Sequence, residues 1–171
     1  YTVLSSTAAD PESPAGAVVT TSVTYNASLS TSVLTGNTTY YFKVRAVNNN
    51  EVPTAYAAAV SSLTLPAAPA AGSPAFTDVQ VGSVTASWTA GANGGAGTLS
   101  YTVLVSTASD PESPAGALVG SSVTYSTSLS TPGLLGNTTY YFKVRANNAT
   151  GSSAYVSLGS TSSLAAQPSG L

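Results

Sequence analysis

The chain of 171 residues contains no Cys, no His and no Met, a single Trp, and only 6% charged residues; an ordinary globular domain carries about 25%. Each absence removes a class of chemistry. Without thiol or imidazole there is no disulfide frame, zinc site, thiol nucleophile or base that titrates near neutrality, and no cofactor is implied. Four basic residues cannot furnish the cationic surface that a phosphate backbone demands, so nucleic acid is not an expected partner. No apolar run approaches the ~20 residues of a membrane helix, so no membrane insertion is expected. The longest low-polarity stretch, 65–71, is broken by Pro66 and Pro69 and reads as a linker. An initiator Met and a signal-peptide pattern are missing too, which reads as a mature product or a piece of a longer chain.

What is present points to strands and turns. Ser and Thr number 52 of the 171 residues, beside 15 Gly, 10 Pro and 10 Tyr. Glu, Lys, Gln, Arg and Met, the residues that favour helices, are scarce. A hydrophobic fraction of 43% still suffices for a packed core. The expected fold class is all-β.

The chain repeats itself. Residues 1–46 align with 101–146 at a constant offset, and 36 of those 46 positions are identical. A period near 100 is that of tandem domains, because solenoid repeats run about 20–50 residues. One full unit reads from about Ala67 to Ala166. Val84, Ala86 and Trp88 share one parity, and Tyr101, Val103 and Val105 share another. Val123, Tyr125, Thr127 and Leu129 alternate as one run, and Tyr140, Phe142, Val144 and Ala146 give the cleanest inward face. Weaker strands near Phe76–Val81 and Ala117–Val119, and a last one at Ala154–Leu158, bring the total to about seven, a two-sheet sandwich.

Trp88 in the second strand, with the run Leu134, Gly136, Asn137, Thr138, Tyr140, Phe142, Val144 and Ala146 followed by Asn147, Asn148 and Gly151, resembles a fibronectin type III domain. The resemblance implies tandem immunoglobulin-like sandwiches in which a Tyr hydroxyl pins the corner before the sixth strand. Tyr40 and Tyr140 match that position, and Leu34, Leu134 and Trp88 are the accompanying structural residues. Gly36 and Gly136 stand where the family often has Pro. Such a sandwich serves adhesion, spacing and recognition alike.

Tyr1 aligns with Tyr101, which opens the third strand, so the first unit lacks counterparts of residues 71–100. The expected organisation is a partial domain over 1–65 (third to seventh strands), a linker at 66–71, a complete domain over 72–168 and a tail at 169–171. A sandwich short of two strands has an open core and unpaired edges. Either a longer array was cut, or strands are donated by a neighbouring chain.

Candidate sites are few. Asp10 with Glu12, and Asp110 with Glu112, are the carboxylate pairs. Two carboxylates fall short of the about 6–8 oxygens a calcium ion takes, and Pro11 and Pro111 intervene, so solvated loops are the reading. Lys43 and Arg45, and their equivalents Lys143 and Arg145, alternate outward beside Tyr41 and Tyr141, as a solvated outer sheet face would. Outward lysines also argue against Lys–Asn isopeptide crosslinks. Tyr1, Tyr25, Tyr40 and their equivalents fall on inward parity and read as core, which weighs against a carbohydrate platform. Asn26, Asn37, Asn137 and Asn148 are candidate glycan acceptors, the middle two in an exposed corner turn.

No catalytic constellation is found, and an enzyme is not expected. A surface of Ser, Thr, Ala, Gly and Asn is nearly ion-free, whereas Lys and Glu are the residues that resist interface burial. The expected role is a self-associating structural repeat of an extracellular fibre, sheath or cell-surface assembly, whose partners are copies of itself. The alternative is a spacer, or an adhesion or carbohydrate-binding module of a larger secreted protein, with cell-surface polysaccharide as partner.

Overall fold

A computed structural model describes residues 1–13, 18–32, 34–113 and 118–168. The expected tail at 169–171, and Ala117 at the start of an expected short strand, lie outside these residues. The chain divides into a first compact unit, Tyr1–Thr64 with Gly94–Ala96, and a second that takes the rest from Leu65 onward. No helix is found among the described residues.

The second unit is a two-sheet sandwich. Strands β5 (Ala70–Thr77), β6 (Ser83–Thr89) and β9 (Ser128–Pro132) form one sheet in the order β5-β6-β9. The other holds β7 (Ser100–Ser106), β8 (Leu118–Thr124), β10 (Thr139–Asn148), the two-residue β11 (Gly151–Ser152) and β12 (Val156–Ser162). Central β10 pairs antiparallel with β7, β11 and β12, and β8 forms an edge on β7. Alternation dictates the core, since successive side chains leave a strand on opposite faces. Val84, Ala86 and Trp88 face Tyr101, Val103, Val105, Tyr140, Phe142, Val144 and Ala146 in one buried cluster. Aromatic contacts tie the two sheets: Trp88 meets Tyr101 edge-on at 5.5 Å between ring centroids, and Phe76 meets Phe142 at 5.0 Å. Each fully buried Val or Phe stabilises the fold by about 1.5–3 kcal/mol.

Three expectations need correction here. The run from Val123 to Leu129 is two strands in different sheets, β8 and β9, separated by a turn in which the Thr124 hydroxyl accepts the Ser126 N–H. Val123 lies opposite Thr102, so it belongs to the outer face and is 64% exposed. Alternation reveals two faces but not which of them a register turns inward. Tyr125 and Tyr25 lie in bends beyond the ends of β8 and β2 and are exposed rather than core, at 76% and 98%, and Tyr1 is half exposed. Finally, β5 begins at Ala70, inside the stretch read as linker.

Among its described residues the first unit holds one four-stranded sheet, β2-β1-β3-β4, of β1 (Thr2–Ser6), β2 (Val18–Val23), β3 (Thr39–Arg45) and β4 (Val60–Leu63). Residues 28–32, the counterpart of β9, form no strand. In the second unit β9 is held by β6, from Ser83–Pro132 to Ser87–Ser128. Among the described residues the first unit has no counterpart of β6 for this sequence to pair with.

Candidate functional site

The outer face of each central strand gathers nearly all the charge of the chain. Lys43 leaves β3 away from the core and reaches the loop after β1. Its Nζ donates to Asp10 Oδ1 at 2.8 Å and to Glu12 Oε2 at 2.6 Å. The second unit repeats this: Lys143 Nζ lies 2.7 Å from Asp110 Oδ1 and 2.6 Å from Glu112 Oε1. Asp10 and Asp110 also accept the N–H of Glu12 and Glu112 through Oδ1, an Asx turn that points both carboxylates at one ammonium. The candidate cation-binding carboxylates thus already hold a cation, supplied by their own sheet. Among the described residues no group of three or more ligating side chains could hold a metal ion.

This geometry corrects the solvated-lysine reading. The Lys43 and Lys143 side chains are only 16% and 20% exposed. The hydrogen bond from Lys43, then that from the Glu12 N–H, holds the Asp10 carboxyl below its ordinary 3.8. Asp10 and Glu12 in turn raise the Lys43 ammonium above 10.5. Asp110 and Lys143 shift in the same directions for the same reasons.

Two residues along each strand the arginines stack instead of pairing. The guanidinium carbon of Arg45 lies 4.7 Å from the Tyr56 ring centroid, and that of Arg145 lies 4.7 Å from the Tyr155 centroid. Such stacking is worth about 0.5–1 kcal/mol at an exposed site. Burial raises the Tyr155 hydroxyl above its ordinary value. Each Lys, Arg, Asp and Glu set sums to zero, which leaves Glu51 and Asp78 to carry the net charge of −2. Sequence reasoning missed both pairings, although the signal existed: the repeat keeps all four charges and the tyrosine together.

The Tyr40 hydroxyl accepts the Thr35 N–H at 2.9 Å, and the Tyr140 hydroxyl accepts the Leu135 N–H at 2.8 Å. Leu134 is buried and Leu34 half-buried. Trp88 is buried, with its indole N–H unpaired. Of the sequons, Asn26 and Asn137 are exposed while Asn148 is partly covered. Asn37 is fully buried in a left-handed turn at φ 47°, so the expectation of an exposed glycan site fails there.

The edges are the other candidate. β2 and β8 each end a sheet and hydrogen-bond to a neighbour on one side only. Their sequences, VVTTSV and LVGSSVT, contain no charge and no proline, the two features that usually blunt an edge.

The sequence model for the fibronectin type III domain matches residues 67–161. No curated protein matches the chain. Among solved structures, domains from titin align at 20% identity over 75% of this chain and 41% of theirs, with a TM-score of 0.46. The rat CD45 extracellular region aligns at 17% over 82% and 72%, with a TM-score of 0.47. A domain of human fibronectin type III domain containing protein 3 aligns at 18% over 59% and 85%, with a TM-score of 0.45. The chain spans less than half of the titin segment.

Proposed function

Because the chain belongs to the fibronectin type III family, whose sandwich is compatible with many roles, we propose that it is a non-catalytic structural repeat of an extracellular or cell-surface assembly, and that its partners are copies of itself. The observation that carries this reading is the pair of unguarded edges. β2 and β8 offer rows of free backbone donors and acceptors, flanked by Ser, Thr and Val side chains that lose little entropy on docking. The internally neutralised charge clusters leave no like-charge field to keep copies apart.

The test is light scattering from low to high micromolar concentration, on the chain and on a Thr21→Lys, Ser121→Lys double variant. The chain is expected to form oligomers, and the variant, with a lysine on each exposed edge, to stay monomeric. A chain that remains monomeric throughout overturns the reading.

A second reading rests on Tyr25 and Tyr125, which stand exposed next to β2 and β8 and offer flat apolar faces to a sugar ring. In that reading the chain is an adhesive spacer on cell-surface polysaccharide. Retention on a polysaccharide column, lost in the Tyr25→Ala, Tyr125→Ala variant, supports it; no retention overturns it.

A further inference from the structure

Each charge cluster is built around an Asp–Pro peptide bond, Asp10–Pro11 in the first unit and Asp110–Pro111 in the second. Proline makes this link a tertiary amide with no N–H, and its nitrogen is a good leaving group once protonated. Both bonds sit in the same turn. The Asp10 carbonyl accepts the Ser13 N–H at 3.0 Å, and the Asp110 carbonyl accepts the Ser113 N–H at 3.0 Å. The carboxylate of each aspartate is fixed through Oδ1, which takes the glutamate N–H at 3.1 Å and the lysine Nζ beside it. Oδ2 takes no bond among the described residues. Both carboxylates are more than half exposed, open to solvent protons and water.

We propose that the two turns are acid-triggered self-cleavage sites, in which Oδ2 of Asp10 or Asp110 attacks the carbonyl carbon of its own residue and the bond to Pro11 or Pro111 breaks. The attack closes a cyclic anhydride between Cγ and that carbon. The electron pair of the broken C–N bond stays on the proline nitrogen, which takes its proton from the acid solvent. Water then opens the anhydride, so the net change is hydrolysis, with the aspartate as new C-terminus and the proline as new N-terminus. The serine N–H meets the oxygen on which charge develops, and the turn holds nucleophile and carbonyl in one residue. The charged groups facing each carboxylate are the lysine of the central strand and the glutamate two residues on; Tyr155, ahead of β12, also senses Glu112. Cleavage needs an ionised carboxylate and a protonated leaving group at one pH. The lysine lets the two coexist, because it holds the carboxyl below 3.8. Each cut falls between antiparallel neighbours, β1 and β2 or β7 and β8, so the severed parts stay paired until the fold is lost.

The test incubates the full chain in acid, folded by Trp88 fluorescence or unfolded in urea, and reads fragment masses after denaturing chromatography. Fragments with new termini at both Asp–Pro bonds are expected, and they should form faster from the folded chain. At about pH 3 a carboxyl at its ordinary 3.8 is ionised in about one molecule in seven, so the advantage from ionisation reaches up to about sevenfold. Lys143→Met should slow the cut at Asp110, up to the same factor, relative to the cut at Asp10 in the same molecule. Asp110→Glu keeps the charge but lengthens the arm; it should abolish the cut there and spare the one at Asp10, and it guards against loss of the fold in Lys143→Met. No fragments in acid, equal rates in folded and unfolded chains, or a cut that persists in Asp110→Glu overturns the proposal. A ratio of the two cuts left unchanged by Lys143→Met overturns the part assigned to the lysine.

Discussion

The same substitution at two repeat-equivalent positions isolates what the second sheet contributes. Val144→Ala removes two carbon groups from a side chain that is 0% exposed. At about 0.8 kcal/mol per buried CH₂ the transfer loss is about 1.6 kcal/mol. The void left between β10 and the opposing sheet adds to it, because close-packed neighbours relax only in part. A total of about 2.5 kcal/mol follows. Val44→Ala removes the same atoms from a side chain 40% exposed at the edge of an open cavity. Roughly 60% of the transfer loss applies, with no enclosed void, so about 1 kcal/mol is expected. Trp88, the single tryptophan, sits in the second unit and reports on it alone. Urea unfolding followed by its fluorescence should show the Val144→Ala midpoint lowered by roughly 1.3–2.5 M, for a slope of ~1–2 kcal/mol per M, and the Val44→Ala midpoint unmoved. Amide exchange in β3 reads the loss in the first unit. If Val44→Ala costs the first unit as much as Val144→Ala costs the second, the inner face of the first sheet is covered, and the open-face account is wrong.

Tyr140→Phe deletes the hydroxyl that accepts the Leu135 N–H and should lower the Trp88-monitored stability by about 1–2 kcal/mol without changing the fold by circular dichroism. Stability should be level between the carboxylate and lysine ranges, because no His or Cys titrates there. It should fall in acid as pH drops from 3.8 through the depressed Asp10 and Asp110 values, since that stabilisation exists only while they are ionised. It should fall in alkali as pH rises from 10.5 through the raised Lys43 and Lys143 values, where the ammonium is lost. Lys143→Met should shrink the acid limb measured at Trp88; an unchanged limb contradicts the assigned pairing.

The sequence declared the second unit's core because period-2 alternation and burial on one face are the same fact seen twice. Tyr140, Phe142, Val144 and Ala146 were legible for that reason, as was the tyrosine corner, which the family pattern marks. The destination of residues 123–129 was not legible, since apolar residues keep alternating across the short turn from β8 to β9 while Val123 faces outward and Leu129 packs on the core. Residues 28–32 illustrate the converse. They match β9 at four of five positions, yet form no strand, because strand formation there depends on a partner and not on propensity. The charge clusters escaped notice because Lys43 and Asp10 are 33 residues apart, a distance that only the fold closes.

The placement of the four basic residues has one more consequence. Lys43 and Arg45 lie in β3, Lys143 and Arg145 in β10, and both strands are flanked by neighbours on either side. Every bond that a trypsin-like protease can cut therefore lies within or at the end of a strand paired with a neighbour, whereas such an enzyme must thread an extended, unpaired segment through its cleft. Digestion waits for a strand to peel away, and the one-layered first half should be nicked long before the two-layered second. The few cleavable bonds thus sit where only unfolding can reach them.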